Sequence, residues 1–197
     1  DLTGANIAGI DLSGMDLTGT ILRGADLTGA NIAGIDLSDT NLSDTNLSDI
    51  DLSDIDLSDI DLTGTILRGV DLTNKDLTGT ILRGADLTGA NIAGIDLSGM
   101  DLTGTILRGA DLTNSILTGV DLTGKDLTRT KLAGVDLSDH DLTGTILREA
   151  DLTGAVLPSG YLSGNDFTGT IGHMTIFDGI DLSGKDLSLS DFEYASF

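Results

Sequence analysis

Counting from Leu2 in steps of five reaches forty positions, ending at Phe197. Thirty-two hold Leu, three hold Ile (Ile7, Ile32, Ile92), four hold Phe (Phe167, Phe177, Phe192, Phe197), and one holds Gly172. No insertion breaks the phase. Five is neither the helix period of about 3.6 nor the strand period of two. A continuous helix would spread these leucines around its axis; a continuous strand would place successive ones on opposite faces. The period is satisfied by a short extended piece followed by a corner, repeated. With the slots numbered one to five from Asp1, slot two is the inward apolar residue. Slot three is mostly Thr or Ser, which suit extended backbone. Slot four is mostly Gly, then Asp, residue types that tolerate positive φ at a turn. Slot one is Asp or Asn in 28 of 40 blocks, so it is expected to face water. Slot five is often small (Ala25, Ala85, Ala110) or apolar (Ile10, Val70) and is expected to point inward.

In Asp16-Leu17-Thr18-Gly19 and Ala25-Asp26-Leu27-Thr28-Gly29 the chain resembles the pentapeptide-repeat family and its A(D/N)LXX pattern. The resemblance covers all forty blocks. It implies an all-β fold, a right-handed quadrilateral parallel β-helix with four blocks per coil and twenty residues per turn. The 197 residues then make about ten coils in one domain over 1–197, a rod roughly 48 Å long at the inter-strand spacing. Residues 1–25 recur identically at 86–110, and 16–38 at 76–98, which points to tandem duplication. Duplicated, isoleucine-containing chains of this kind look like the cyanobacterial members.

Composition narrows the function classes. Cysteine is absent, which removes disulfides, thiolate metal sites and cysteine nucleophiles. No apolar run is long enough to span a membrane. The net charge of −22 disfavours direct contact with nucleic acid or an anionic membrane. The expectation is a soluble protein, cytoplasmic first, lumenal or periplasmic if a targeting peptide has been removed upstream of Asp1.

The departures from the period are the candidate functional positions. Ile66, Ile106 and Ile146 fill slot one of one column on alternate coils, with Arg68, Arg108 and Arg148 at slot three and Asp86 and Asp126 between these rungs. Arg between stacked acids relieves repulsion; a binding stripe is the sharper alternative. The stretch 36–61 carries nine Asp and no base, with Asp39, Asp44, Asp49, Asp54 and Asp59 in the turn slot. Successive blocks lie on successive sides, so these acids form a collar. Calcium would need six to eight converging oxygens, and a collar diverges. Lys75, Lys125, Lys185, His140 and Asn165 occupy slot five, where an unpaired buried ammonium is costly. The expectation is that the lysines snorkel outward at the corner. Gly172 lacks a core side chain between Phe167 and Phe177, with Phe192 one coil on, a pattern of volume compensation. Residues 186–197, with Phe192, Tyr194 and Phe197, are read as a C-terminal cap. No comparable cap is visible at Asp1, so a monomer or an end-to-end dimer is expected.

No catalytic constellation emerges. His140 and His173 are isolated, the recurrent Asp and Ser are scaffold, and the glycines are corners at fixed period rather than a phosphate loop. No cofactor is expected. Two readings remain. The first is a non-catalytic structural or protein-interaction solenoid, with Asp39, Asp44, Asp49, Asp54, Asp59, Arg68, Arg108 and Arg148 as candidate partner-binding residues. The second, implied by the resemblance, is an acidic DNA mimic that binds a type II topoisomerase such as DNA gyrase. The rod would carry about one charge per 2.2 Å, against one per ~1.7 Å in B-DNA. Against it, the topoisomerase-binding members have projecting loops or a dimerisation helix, and this chain's phase is unbroken.

Overall fold

The structure, a computed structural model, describes residues 1–161 and 164–197; the core position Leu162 lies outside the described residues. The chain forms two compact units, Asp1–Asn91 with Met100–Ile106, and Ile92–Gly99 with Leu107–Phe197. Both are β-solenoids built from the same five-residue block. Pairing is parallel and always twenty residues apart. In the first unit one column runs Asn6↔Asp26, Asp26↔Asn46, Asn46↔Ile66, Ile66↔Asp86 and Asp86↔Ile106. In the second, another runs Asp111↔Lys131, Lys131↔Asp151, Asp151↔Ile171 and Ile171↔Asp191. Among the described residues, only β1 (Gly160–Tyr161) and β2 (Ile180–Asp181) pair over two consecutive residues.

A block this short forms a stable element because each of its backbone N–H groups has a destination. In block 26–30 the slot-one N–H of Asp26 reaches back to Ala5 O at 2.8 Å. Leu27 and Gly29 donate forward to Asn46 O (2.9 Å) and Ser48 O (3.1 Å), and Ala30 closes the corner on Leu27 O at 2.8 Å. Block 151–155 of the second unit repeats the scheme through Thr130, Ile171, His173 and Leu152. The slot-three N–H is left over, and slot one takes it: Thr28 N–H donates to Asp26 Oδ1 at 3.0 Å, and Thr153 N–H to Asp151 Oδ1 at 3.0 Å. The recurrent slot-one Asp or Asn is therefore the acceptor of an Asx turn rather than simply a water-facing acid. The slot-three hydroxyl joins it, as in Thr28 Oγ1 to Asp26 Oδ1 at 2.6 Å.

This arrangement explains two irregularities. Where slot one is Ile the acceptor is missing, and slot three is then often Arg, in Ile-Leu-Arg at 21, 66, 81, 106 and 146. The single proline, Pro158, stands in slot three two residues after Val156. It brings no N–H to a block with no side-chain acceptor, and Gly160 N–H there donates to Gly179 O at 2.9 Å instead of closing a corner on Leu157.

Core packing follows the slots. Every slot-two side chain from Leu12 to Leu157 is buried, as are Phe167 and Phe177. Slot five is inward too: Val70, Ala85 and Ala110 are at most 1% exposed. Ile10, in the first coil, is half exposed, because it has a neighbouring coil on one side only. Slot-five threonines are buried by pairing their hydroxyls with the slot-two carbonyl of the coil behind, as in Thr45 to Leu22 O (2.8 Å) and Thr145 to Leu122 O (2.8 Å). At Gly172 the compensation is direct: a Cβ there would lie 2.6 Å from Phe192 Cδ1, so the ring occupies the missing side chain's space. Phe192 also packs edge-on to Phe177 at 5.0 Å, and Phe197 stacks on Phe177 at 5.1 Å. Among the described residues no helix is long and apolar enough to cross a membrane.

Candidate interaction surface

The turn-slot acids project from corners. Asp39, Asp44, Asp49 and Asp59 hold φ between 55° and 59°, the left-handed region that Asp tolerates better than most residues. The twenty-residue pairing places Asp39 and Asp59 in one column, and both line a shallow groove of about 310 Å³ with Asn41 and Asp61. Asp44, Asp49 and Asp54 belong to three other columns, so the structure does not bring the five together. Asp44 instead lies over the next coil's corner, where a Cβ on Gly64 would collide with its Oδ1. Among the described residues no three of His, Asp or Glu are grouped as metal ligands.

Bridging at slot one is uneven from column to column. Among the described residues no bridge joins Asp to Asp; each has Asn, Ile, Val, Lys, Tyr or Ser on at least one side. In the first unit Asp16, Asp36, Asp56 and Asp76 fill one column, and no bridge joins them. Their own turns hold Asp36, Asp56 and Asp76 below the ordinary carboxylate value, chiefly through Ser38, Ser58 and Thr78, so they stay ionised. Like charges one coil apart repel.

The three candidate arginines behave differently. Arg68 Nε donates to Asp86 Oδ2 at 2.6 Å, and the Asp86 side chain is only 9% exposed. Burial alone would raise the Asp86 pKa; the Thr88 hydroxyl and N–H and the Arg68 guanidinium outweigh it and hold it low. Arg108 likewise acts electrostatically on Asp126, one coil on. Arg148 turns aside: its Nε lies 3.6 Å from Glu149 Oε1, while Arg129 Nε donates to Glu149 Oε2 at 2.6 Å. Arg108, Arg129, Arg148, Asp126 and Glu149 line one cleft of about 360 Å³. Charge relief thus takes the form of a direct contact at Arg68; Arg108 shares a cleft with Asp126. Arg148 joins a cluster in which Arg129 and Glu149 went unrecognised in the sequence. The signal was present: Ile146-Leu147-Arg148-Glu149 puts Glu where the other Ile-Leu-Arg copies have Gly.

Among the slot-five lysines, Lys75 does not simply snorkel. Lys75 Nζ donates to the carbonyls of Ser53 and of Ile55, the latter at 2.9 Å, and its charge acts on Asp51 and Asp56 rather than on the adjacent Asp76. Asn165 Nδ2 donates to Leu142 O at 2.6 Å and Thr145 O at 2.9 Å. His140 Nε2 lies 2.9 Å from Leu117 O, so the proton sits on Nε2, since a carbonyl only accepts. The coil behind supplies carbonyl acceptors; Asn165 and His140 meet the slot-two carbonyl that a threonine hydroxyl takes, while Lys75 reaches those of slots three and five. His173 Nε2 lies 2.9 Å from Asp191 Oδ2, which raises the histidine's pKa, with burial opposing.

A family model described as pentapeptide repeats matches residues 1–34, 20–59, 55–92, 80–119, 117–148 and 145–184. HetL, a pentapeptide repeat protein involved in heterocyst differentiation regulation from the cyanobacterium Nostoc sp. strain PCC 7120, is similar at 31% identity and a TM-score of 0.74. That match covers 100% of this chain and 88% of HetL. Rfr23, a pentapeptide repeat protein from the cyanobacterium Cyanothece 51142, matches at 22% identity and TM-score 0.46, over 67% of this chain and 90% of its own. The plasmid-mediated fluoroquinolone-resistance protein QnrB1 matches at 18% identity and TM-score 0.44, over 95% and 89%. No curated protein matches significantly.

Proposed function

The chain belongs to the pentapeptide-repeat family, and on that premise we propose that it is a non-catalytic solenoid acting as a structural or protein-interaction module. The observation that carries this is the commitment of its polar groups. The Asp, Asn, Thr and Ser that could otherwise be chemistry are engaged in the frame of their own blocks, as in Asp26 with Thr28 and Asp151 with Thr153. The likeness to HetL, a protein involved in regulation of heterocyst differentiation, supports a regulatory contact with another protein. In this reading the coils are right-handed and quadrilateral, about ten over 1–197, and 186–197 form a cap. The corner acids Asp39, Asp44, Asp49, Asp54 and Asp59, with Arg68, Arg108 and Arg148, are the contact residues. An aqueous compartment, the cytoplasm first, suits its acidity.

Affinity capture from a cyanobacterial lysate tests this with two baits, the native chain and a variant with the five corner acids changed to Asn. A partner retained by the first and lost by the second is expected; equal retention on both baits rejects the contact assignment. The DNA-mimic alternative rests on the family resemblance and on acidity, and is the weaker reading. A gyrase supercoiling assay with micromolar protein that shows neither inhibition nor protection removes it.

A further inference from the structure

We infer that Arg108, Arg129 and Arg148 of the second unit form an oxyanion site that takes a phosphate group. This goes beyond the interaction reading and does not depend on it. The chain has six arginines, and three of them line one cleft. They converge on a single carboxylate: Arg129 Nε contacts Glu149 Oε2 at 2.6 Å, Arg148 Nε lies 3.6 Å from Oε1, and Arg108 acts on it electrostatically. The chain's own carboxylate is thus seated where an external oxyanion would sit.

One further observation, hydrogen-bond capacity, separates this cluster from ordinary surface pairing. Arg129 and Glu149 stand one coil apart in the turn slot with φ of 62° and 57°. An L side chain strains the backbone there, more so for Arg and Glu than for Asp or Asn. The same φ recurs at Met174, Leu189 and Tyr194, so it belongs to the slot and not to this cluster. Hydrogen-bond capacity is unbalanced. Three guanidiniums offer about fifteen N–H donors at five apiece. Against them stand the carboxylates of Asp126, Glu149 and Asp166, two of which already accept their own slot-three N–H groups, from Thr128 and Thr168, at 2.9 Å.

The surplus donors fit a compact anion with several oxygens, because guanidinium forks bind phosphate through paired N–H groups. The net charge of −22 repels extended polyanions, so the favoured ligand is a single phosphate group recognised at short range. Free phosphate and a phosphorylated side chain of a partner share that chemistry.

The test is an NMR titration of the arginine Nε–H signals at constant, low ionic strength balanced with chloride. Inorganic phosphate, a phosphoserine peptide and the same peptide unphosphorylated are the three arms. Saturable shifts at Arg129 and Arg148 are expected with phosphate and the phosphopeptide but not with the third arm. Tighter phosphopeptide binding assigns a partner's side chain as the source; equal or weaker binding assigns free phosphate. Arg129→Gly, which suits the left-handed φ and keeps the fold, should weaken binding at least tenfold. Glu149→Gly should tighten it several-fold by vacating the site. Absence of a saturable shift in both the native chain and Glu149→Gly, or binding unchanged in Arg129→Gly, overturns the assignment.

Discussion

Block 86–90 offers a sharp test of why slot one is so often acidic. Asp86 accepts Thr88 N–H at 3.0 Å, Thr88 Oγ1 at 2.5 Å and Arg68 Nε at 2.6 Å, with its side chain 9% exposed. Asp86→Asn keeps one acceptor for Thr88, as the natural slot-one Asn46 does for Ser48, but its Nδ2 cannot accept from Arg68; the loss is expected to be about 1.5–3 kcal/mol, one charge-assisted bond lost. Asp86→Ile removes the acceptor. Arg68, 62% exposed, returns to water, but the Thr88 N–H is left without a partner, at about 1–3 kcal/mol. Thr88→Pro alone takes two donors from a nearly buried carboxylate and costs a similar amount. The double variant Asp86→Ile with Thr88→Pro recreates the chemistry of Val156 and Pro158, with neither donor nor acceptor. Its loss should fall short of the sum of the single losses by about 1–2 kcal/mol, a coupling well above the ~0.5 kcal/mol scatter of independent sites. Chemical denaturation of all four proteins, with hydrogen exchange of the amides in 65–90 to localise the effect, gives the cycle. Losses that add to within ~0.5 kcal/mol would refute the idea that slot one exists to accept the slot-three N–H.

Other outcomes follow from the same structure. Gly172→Leu overpacks against the Phe192 ring and should cost about 1–3 kcal/mol, while pairing it with Phe192→Leu restores a Leu-on-Leu core and recovers stability. If thermal melts rank the double variant below both singles, the compensation argument fails. On the acid side, slot-one carboxyls such as Asp26, Asp96 and Asp121 are held below their ordinary 3.8 by their slot-three partners. Their contribution is therefore complete above that value and is lost as pH falls through the lower folded value, which a melt series below pH 4 reads. His173 has the opposite sign: its pKa is raised above 6.5 by Asp191, so its contribution is complete below 6.5 and disappears as pH rises through the raised value. Amide protection in 171–174 and 191–194 should decline over that window in the native chain and not in His173→Gln. Finally, screening should help the Asp16, Asp36, Asp56 and Asp76 column. Exchange of the amides of Leu17, Leu37 and Leu57 should slow between 10 mM and 1 M salt, as the Debye length falls from about 30 to 3 Å; unchanged exchange rates would show that charge does not keep those coils unpaired.

Much of this architecture is legible in one dimension because the fold's long-range contacts repeat at a fixed sequence distance. A residue's neighbours are its own block and the blocks twenty positions away, so column membership of Asp39 with Asp59, or of Gly172 with Phe192, can be read by counting. The inward slots, the corner glycines and the compensation at Gly172 followed from that. The Arg68–Asp86 pair is legible in the same way, because a slot-three base and a slot-one acid one coil on are eighteen residues apart.

What counting did not reach is direction within a slot. The sequence by itself determined the repeat, the inward faces and the family, since period, side-chain size and turn residues depend only on local geometry. Tertiary structure decided which of two or three reachable partners each polar group takes. Slot-one Asp could face water or accept its own slot-three N–H; the N–H has no other partner, so it accepts. Lys75 could extend to solvent or fold onto backbone; the Ser53 and Ile55 carbonyls of the coil behind lie within reach, so it donates to them. Arg148 could have copied Arg68, but Glu149 stands beside it and Arg129 one coil behind, and the three form a cluster instead. Such choices turn on competition between neighbours at 2.5–4 Å, and that competition is settled only once the coils are stacked.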